Sequence, residues 1–285
     1  MGNLLYVDKT KFVFRLAQLR RGQFFLARPK GFGKSLLLST FDSLFRHGLE
    51  HFEGLAIEAL WRDPGRYKVI HLDFSGLTGF SRIEEFRQQL HGLLCAAFKE
   101  QGFAYQPGSF VNFNTQLCRW AKAQPSRAFV LLIDAYDAPL QSAAGNGELL
   151  TQVQRALSPF YAFAKANNRL WRFFFMTGST ARHESGLSAE LNALIDISLD
   201  ENYSPIAGYN REEIQRDFAP HLAFAAKALQ ISPQEALSRI EAHCEGFRFE
   251  DEHDYRPASE AAPIVYSPGQ VLRFLANPTQ SFKPC

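Results

Sequence analysis

Short apolar runs alternate with helical segments over the first 200 residues, and this alternation limits the folds that the chain can adopt. Five runs suit buried strands: QFFLA (23–27), YKVIHLDF (67–74), AFVLLID (128–134), WRFFFMTG (171–178) and ALIDISL (193–199). Segments with apolar residues at helical spacing separate them. Strands that alternate with helices favour a parallel sheet covered on both faces, so we predict an α/β fold.

The pattern changes after about residue 205, where helix signals replace the apolar runs. Capping residues mark three helix starts: Asn210 with Glu213, Ser232 with Pro233 and Glu235, and Ser267 with Pro268. An earlier helix is predicted to begin at Ser81, with Glu84 as its capping partner. We therefore predict a core over residues 1–205 and a smaller helical region over residues 206–285.

The composition excludes several classes of protein. A net charge of +2 gives no general attraction to nucleic acid or to a membrane surface, and the longest apolar runs are too short to span a bilayer. Cys95, Cys118, Cys244 and Cys285 are far apart in the sequence, so we predict reduced thiols rather than a zinc site or a disulfide framework. The first residues lack a signal-peptide pattern, and we expect a cytoplasmic protein.

The segment RPKGFGKSLLLS (28–39), between the first apolar run and a helix, carries the end of a phosphate-binding motif. The motif reads G-x-x-x-x-G-K-[ST]; Gly33, Lys34 and Ser35 supply its end, and Arg28 stands where its first glycine belongs. Glycine lets a backbone turn tightly around phosphate, which Gly31 and Gly33 can do. Because backbone N–H groups before a helix suit a polyphosphate, we predict a nucleotide site here. The alternative is that G-K-S occurs by chance at a helix start.

We call residues 28–36 the phosphate loop. Lys34 would reach the β- and γ-phosphates, and the Ser35 hydroxyl would hold Mg²⁺. The residues predicted to contact the nucleotide are Arg28, Pro29, Lys30, Gly31, Phe32, Gly33, Lys34, Ser35 and Leu36.

A second motif, LLIDAYD (131–137), follows about a hundred residues later. It is typical of a strand that ends in an aspartate, here Asp134, whose carboxylate reaches Mg²⁺ through water. A buried strand with a capping aspartate is the alternative. In proteins that hydrolyse the nucleotide an acidic residue follows this aspartate and activates water, but here that residue is Ala135. Loss of a general base typically lowers the rate by about 10²- to 10⁴-fold.

Two further side chains are candidates for the chemistry. Asp137 could replace the missing base, although a turn residue before Pro139 is the alternative. Thr177 ends the fourth strand, and its hydroxyl would face the γ-phosphate if strands one, three and four are neighbours. The alternative is a strand end that prepares the turn at Gly178.

Several polar residues have no ranked role. Candidates for an arginine finger are Arg169, Arg172, Arg182 and Arg211. His183 with Glu184, and His253 with Asp254, are interpreted as solvated polar segments rather than metal or nuclease sites.

Eight stretches, in order, extend these two motifs over nearly the whole chain: YVDKTKFVFRL, LARPKGFGKSLLLST, YKVIHLDFSG, LLIDAYDAPL, FFFMTGS, LSAELNALIDISLDENY, GYNREEI and EGFRF. Together they resemble the bacterial AAA-ATPase-like family, whose ATPase region is often joined to a PD-(D/E)XK nuclease-like domain. The resemblance implies a P-loop core of the ASCE type with sheet order 5-1-4-3-2, a C-terminal helical lid, and ATP as the nucleotide.

The resemblance also bears on the departures from the motifs. In that family Arg28 and Pro29 form the usual beginning of the loop, so the absent first glycine is not a defect of this chain. The family has a second basic residue where this chain has Gly31, and a glutamate where it has Ala135. The resemblance therefore implies ATP binding more strongly than ATP hydrolysis. The chain stops about where the family's ATPase region ends, so we do not expect nuclease activity.

We predict an ATP-binding domain that acts as a switch, with weak or absent hydrolysis. The alternatives are an active ATPase that uses Asp137 or another base, and an interaction module in which the nucleotide site is only structural. The sequence identifies no protein or nucleic-acid partner and no oligomeric state.

Overall fold

The computed structural model describes residues 5–19, 22–108, 111–250 and 262–279 of the chain. They fall into two units, each described by itself. The sheet unit consists of residues 13–28 and 35–196, and the C-terminal unit of the described residues within 1–12, 29–34 and 197–285. The predicted division between residues 205 and 206 stays a prediction.

A five-stranded parallel sheet with the order β2-β3-β4-β1-β5 forms the centre of the sheet unit. Its strands are β1 (Gly22–Ala27), β2 (Lys68–Asp73), β3 (Phe129–Asp134), β4 (Trp171–Gly178) and β5 (Ile195–Asp196). The order is the predicted 5-1-4-3-2 counted from the opposite edge. The α/β class and the strand order are therefore confirmed, and all five predicted strands are present.

Helices cover both faces of this sheet. The helices that lie wholly or mostly in the sheet unit are α1 (Thr10–Ala17), α2 (Lys34–His47), α3 (Ile83–Lys99), α4 (Phe113–Lys122), α5 (Ala138–Ala143), α6 (Gly147–Ala166) and α7 (Ser188–Leu191). On one face Phe173 and Phe175 of β4 pack against Phe41 of α2, with ring centroids 4.8 and 4.9 Å apart. On the other face Phe174 and Met176 join the core that includes residues of α3 and α6. Side chains alternate along a strand, so a strand covered on both faces is apolar throughout.

The start of α3 differs from the prediction. Arg82 caps this helix, and the Glu85 carboxylate accepts hydrogen bonds from the N–H groups of Ser81 and Arg82 at 2.9 and 3.4 Å. The predicted pairing of Ser81 with Glu84 is wrong, because Glu85 is the residue that turns back to the helix start. Two later predictions are confirmed. The side chains of Asn210 and Ser232 each cap a helix, with Glu213 and Glu235 as their partners.

The C-terminal unit combines four helices with a small antiparallel sheet that was not predicted. The helices are α8 (Arg211–Asp217), α9 (Ala219–Leu229), α10 (Pro233–His243) and α11 (Pro268–Ala276). The strands are β6 (Tyr209–Asn210), β7 (Gly246–Phe247) and β8 (Val265–Tyr266), in the order β6-β8-β7. Near the beginning of the chain, the Lys9 ammonium lies 2.5 and 2.6 Å from the two Glu213 oxygens in a buried ion pair.

Some sequence predictions concern single residues. Cys95, Cys118 and Cys244 form no disulfide, and Cys285 lies outside the described residues. His253 and Asp254 also lie outside them. Within the described ranges, no helix has the length and apolar character needed to cross a membrane.

Candidate functional site

The phosphate loop leaves the carboxyl end of β1 and runs into the first turn of α2. Gly31 and Gly33 adopt left-handed backbone, with φ of 81° and 85°, as the tight-turn prediction requires. A Cβ atom disfavours this conformation, so both positions favour glycine. Arg28 is not at positive φ, and its N–H donates to the Gly178 carbonyl at 3.0 Å. An arginine therefore fits where the motif usually has glycine.

The side chain of Arg28 is a buried cation at the beginning of the loop. It is 1% exposed, and its Nη1 donates to the Ala27 carbonyl at 2.9 Å. Burial lowers the pKa of Arg28 to about 9, an effect that the Asp196 carboxylate opposes. Asp196 is on β5, in register beside β1. Because the pKa stays above neutral pH, the guanidinium keeps its positive charge there.

Three successive N–H groups of the loop are available to a ligand. In the part of the chain that the structure describes, the N–H groups of Gly31, Phe32 and Gly33 make no hydrogen bond. Left-handed backbone followed by a helix start is typical of concave arrays of N–H groups that bind anions. The loop therefore has the geometry of a phosphate site.

The carbonyl groups of the same loop are bound within the C-terminal unit. The Phe32 carbonyl accepts a 3.1 Å hydrogen bond from the Gly208 N–H. The Gly31 carbonyl accepts from the Ser267 hydroxyl at 3.3 Å and from the Gly269 N–H at 3.4 Å. The carbonyl groups of Gly31 and Phe32 are thus bound, while in the described residues the N–H groups of Gly31, Phe32 and Gly33 donate to no such partner.

The Phe32 ring anchors the loop in the same unit. It is 1% exposed. Its ring centroid lies 5.2 Å from that of Phe247 and 5.7 Å from that of Phe249, both with the rings nearly perpendicular. Edge-to-face packing of this kind is favourable beyond the buried area alone.

The polar side chains of the loop lie at or near the surface. The Lys34 ammonium, which is half-buried, donates to the Pro29 carbonyl at 3.0 Å. Lys30 and Ser35 are exposed, and the Leu36 side chain is 57% exposed. Ser35 and Leu36 therefore do not lie on the face of α2 that packs against the core.

Asp134 and Thr177 end the neighbouring strands β3 and β4. Oδ1 of Asp134 accepts a 2.7 Å hydrogen bond from the Thr177 hydroxyl and a 2.9 Å bond from the Ala135 N–H. Thr177 is fully buried and Asp134 is 7% exposed. Among the described residues nothing donates to Oδ2 of Asp134, so this second oxygen is the one that could hold a metal-bound water.

Ala135 follows Asp134 in a left-handed conformation, with φ of 51°. Left-handed backbone costs a residue with a Cβ about 1–2 kcal/mol. Its carbonyl accepts from the Ala138 N–H at 2.9 Å, which closes the turn before α5. The half-buried methyl group of Ala135 carries no group that could accept a proton.

Asp137 lies in the turn before α5 and is 2% exposed. Its Oδ2 accepts three hydrogen bonds: from the Gln141 side chain at 2.7 Å, the Ser179 N–H at 3.0 Å and the Thr180 N–H at 2.7 Å. These bonds fasten the segment after β4 to the turn after β3. An oxygen that is so fully engaged is poorly placed to take a proton from water.

A family of known proteins matches more than half of this chain. Residues 1–188 match the family described as "Predicted AAA-ATPase". The chain belongs to this AAA-ATPase-like family. The suggested fold and the P-loop ATPase-like character are therefore established at the family level.

A relative and a solved structure are also similar to this AAA-ATPase-like chain. The "Uncharacterized protein in vnfD 5'region" of Azotobacter chroococcum mcd 1 is 32% identical over 219 residues, 76% of this chain and 42% of that protein. The chain thus spans less than half the length of that relative. A Drosophila structure, ORC bound to AT-rich DNA and Cdc6, is similar over 94% of this chain and 90% of that chain. Its TM-score of 0.33 and identity of 10% are too low to support an argument.

The four candidate arginine fingers of this AAA-ATPase-like chain all have intramolecular partners. Arg169 donates to three carbonyl groups near the end of α4, and Arg182 to the Leu191 and Leu194 carbonyls. The remaining two are in ion pairs, Arg172 with Asp63 and Arg211 with Glu241. His183 and Glu184 were interpreted from the sequence as a solvated polar segment, and both side chains are exposed.

One carboxylate at the edge of the sheet was missed from the sequence. Asp73 ends β2, and its Cα is the register partner of Asp134. Its Oδ1 accepts a 2.8 Å hydrogen bond from the Ser75 N–H. Register partners point to the same side of a sheet, so Asp73 places an exposed carboxylate beside the buried carboxylate of Asp134. The signal was available, because the YKVIHLDF run ends in the same way as AFVLLID.

Proposed function

We propose that this chain is an ATP-binding domain that acts as a nucleotide-dependent switch, with weak or absent hydrolysis. One observation carries the proposal. Gly31, Phe32 and Gly33 present three successive N–H groups without acceptors in the described residues, next to the start of α2. Such an array, with the positive end of a helix dipole, favours a polyphosphate.

The donor set also suits Mg²⁺. The Ser35 hydroxyl is a hard oxygen ligand, and Oδ2 of Asp134 is a second oxygen that can hold a coordinated water. The Thr177 hydroxyl fixes the Asp134 carboxylate through the other oxygen. Lys34 is proposed to bind the β- and γ-phosphates. Bound Mg²⁺ would neutralise phosphate charge, while these residues orient the ligand.

The switch is proposed to use the contacts of the loop within the C-terminal unit. Phosphate would engage the N–H side of the loop, whereas Gly208, Ser267 and Gly269 hold its carbonyl side. A peptide group carries one carbonyl and one N–H. A change in the backbone at Gly31 or Phe32 would therefore alter the bonds to phosphate and the bonds to Gly208, Ser267 and Gly269 together. Nucleotide binding is thereby proposed to alter the contacts of residues 29–34 within the C-terminal unit.

Weak hydrolysis is proposed because no general base follows Asp134. Ala135 cannot accept a proton, and the Oδ2 of Asp137 already accepts three hydrogen bonds. The ATP-bound state would therefore be long-lived, which suits a switch better than a rapid ATPase.

Steady-state ATP hydrolysis by the chain and by Ala135→Glu tests this proposal. We expect slow turnover in the chain itself and an increase in Ala135→Glu, because a glutamate at this position would supply the carboxylate base that alanine lacks. A restored general base should raise the rate of hydrolysis by up to about 10²- to 10⁴-fold. Brisk turnover that Ala135→Glu leaves unchanged would overturn the weak-hydrolysis proposal.

Two further variants separate the alternatives. If Asp137 were the base, Asp137→Asn would abolish that brisk turnover and leave ATP affinity nearly intact. If the chain were an interaction module without a nucleotide, labelled ATP would show no saturable binding, or binding that Lys34→Ala does not change.

A further inference from the structure

Three metal-ligating side chains lie together at the end of α2, in the sheet unit. Their ligand atoms, from His47, Glu50 and His51, are all within 4.8 Å of one another. The two imidazole rings have centroids 5.3 Å apart. All three residues are exposed. None of these three residues belongs to the candidate nucleotide site described above.

A glycine-dependent turn creates this cluster. Helix α2 ends at His47, and a 3₁₀ turn follows over Gly48–His51. Gly48 has a φ of 64°, a conformation that ends helices and favours glycine. The turn brings Glu50 and His51 back beside the last residue of α2.

The three side chains are available for coordination. In the described parts of the chain none of them takes part in a hydrogen bond or an ion pair with a neighbouring residue. Two imidazole nitrogens and one carboxylate form a donor set that suits Zn²⁺. Mg²⁺ and Ca²⁺ prefer sites made of oxygen ligands alone.

We propose that His47, Glu50 and His51 bind a Zn²⁺ ion, with water completing a tetrahedral shell. The site would join the end of α2 to the turn that follows it and would stabilise the folded chain by mass action. The exposed position favours reversible binding over a permanently buried ion. This inference does not rest on the proposed nucleotide function.

A positively charged residue, Arg66, lies beside the turn that carries the cluster. A Cβ atom at Gly48 would lie 2.6 Å from Nη1 of Arg66, so this guanidinium is close to the turn. Like charges repel, and Arg66→Gln should therefore strengthen Zn²⁺ binding. This variant changes no ligand atom.

Competition with a chromophoric chelator measures the Zn²⁺ affinity of the intact chain and its variants. We expect one Zn²⁺ whose affinity falls at least about tenfold in His51→Ala, since even the loss of a residue that only orients a ligand costs about 10- to 100-fold. The matched control is His221→Ala, which removes an exposed histidine of α9 and should leave the affinity unchanged.

Thermal unfolding with and without ZnCl₂ provides a second readout. The melting temperature of the chain should rise with Zn²⁺, and that of His47→Ala/His51→Ala should not. Because both histidines are exposed, this double variant should fold, which circular dichroism without metal checks. Unchanged Zn²⁺ affinity in His51→Ala, or an equal thermal shift in the double variant, would overturn the proposal.

Discussion

Thr177 donates a 2.7 Å hydrogen bond to Oδ1 of Asp134, and this bond links the ends of strands β4 and β3. Both side chains are nearly or fully buried. A buried carboxylate whose one oxygen is held by a hydroxyl and a backbone N–H has little rotational freedom. The bond therefore fixes the direction of the second oxygen, which is the proposed ligand to Mg²⁺-bound water.

Thr177→Val tests the importance of this bond. Valine has nearly the same shape but no hydroxyl, so Oδ1 of Asp134 would lose one of its two donors. We expect the free energy of unfolding to fall by about 1.5–3 kcal/mol, the typical contribution of a hydrogen bond to a charged group. Denaturant unfolding measures this, and Thr177→Ser is the control that keeps the hydroxyl. Equal stability of the valine variant and the original chain would contradict the account.

Ala135→Gly tests the left-handed backbone after Asp134. Glycine tolerates the φ of 51° without the Cβ penalty, but it increases the entropy of the unfolded chain. We expect a net gain in stability of up to about 1 kcal/mol. Ala156→Gly, in the interior of α6, is the control and should destabilise the chain by roughly 0.5–1 kcal/mol. If both variants lose the same stability in thermal unfolding, the strain at Ala135 is not present.

Phe32→Ala tests the anchoring of the phosphate loop within the C-terminal unit. The variant removes a ring that is 1% exposed and packs against Phe247 and Phe249. Loss of a buried phenylalanine typically costs about 3–5 kcal/mol, so residues 197–250 should become sensitive to protease. Limited proteolysis with mass spectrometry locates the cleavages. Phe224→Ala is the control. Because that ring is 65% exposed, its removal should not change the protease cleavage pattern. A cleavage pattern like that of the original chain would contradict this role.

Much of the sheet could be predicted because its signal is local. The run WRFFFMTG coincides with β4, since a strand buried on both faces must be apolar throughout. The tight turn at Gly31 and Gly33 was also predictable, because glycine adopts left-handed backbone without the penalty of a Cβ atom. The strand order came from the family resemblance, and the structure confirms it.

The remaining features depend on contacts that the sequence does not display. The bond between Thr177 and Asp134 depends on the adjacency of β3 and β4. The three hydrogen bonds to Oδ2 of Asp137 depend on the backbone after β4. Strands of two residues, such as β6, are too short to show a period. The choice of Glu85 over Glu84 at the start of α3 depends on one backbone conformation, at Arg82. The cluster at His47 is visible in the sequence as a spacing of three and four residues, but the spacing alone does not show the turn at Gly48 that brings its side chains together.

Isothermal titration calorimetry of ATP, with and without Mg²⁺, tests the central claim most directly. The chain should bind one ATP with an affinity that Mg²⁺ increases, because Ser35 and Asp134 are the proposed metal-holding residues. Lys34→Ala should lose most of this affinity, and His221→Ala, which is exposed on α9, should retain it. No saturable heat with the original chain, or equal affinity in Lys34→Ala, would contradict the account.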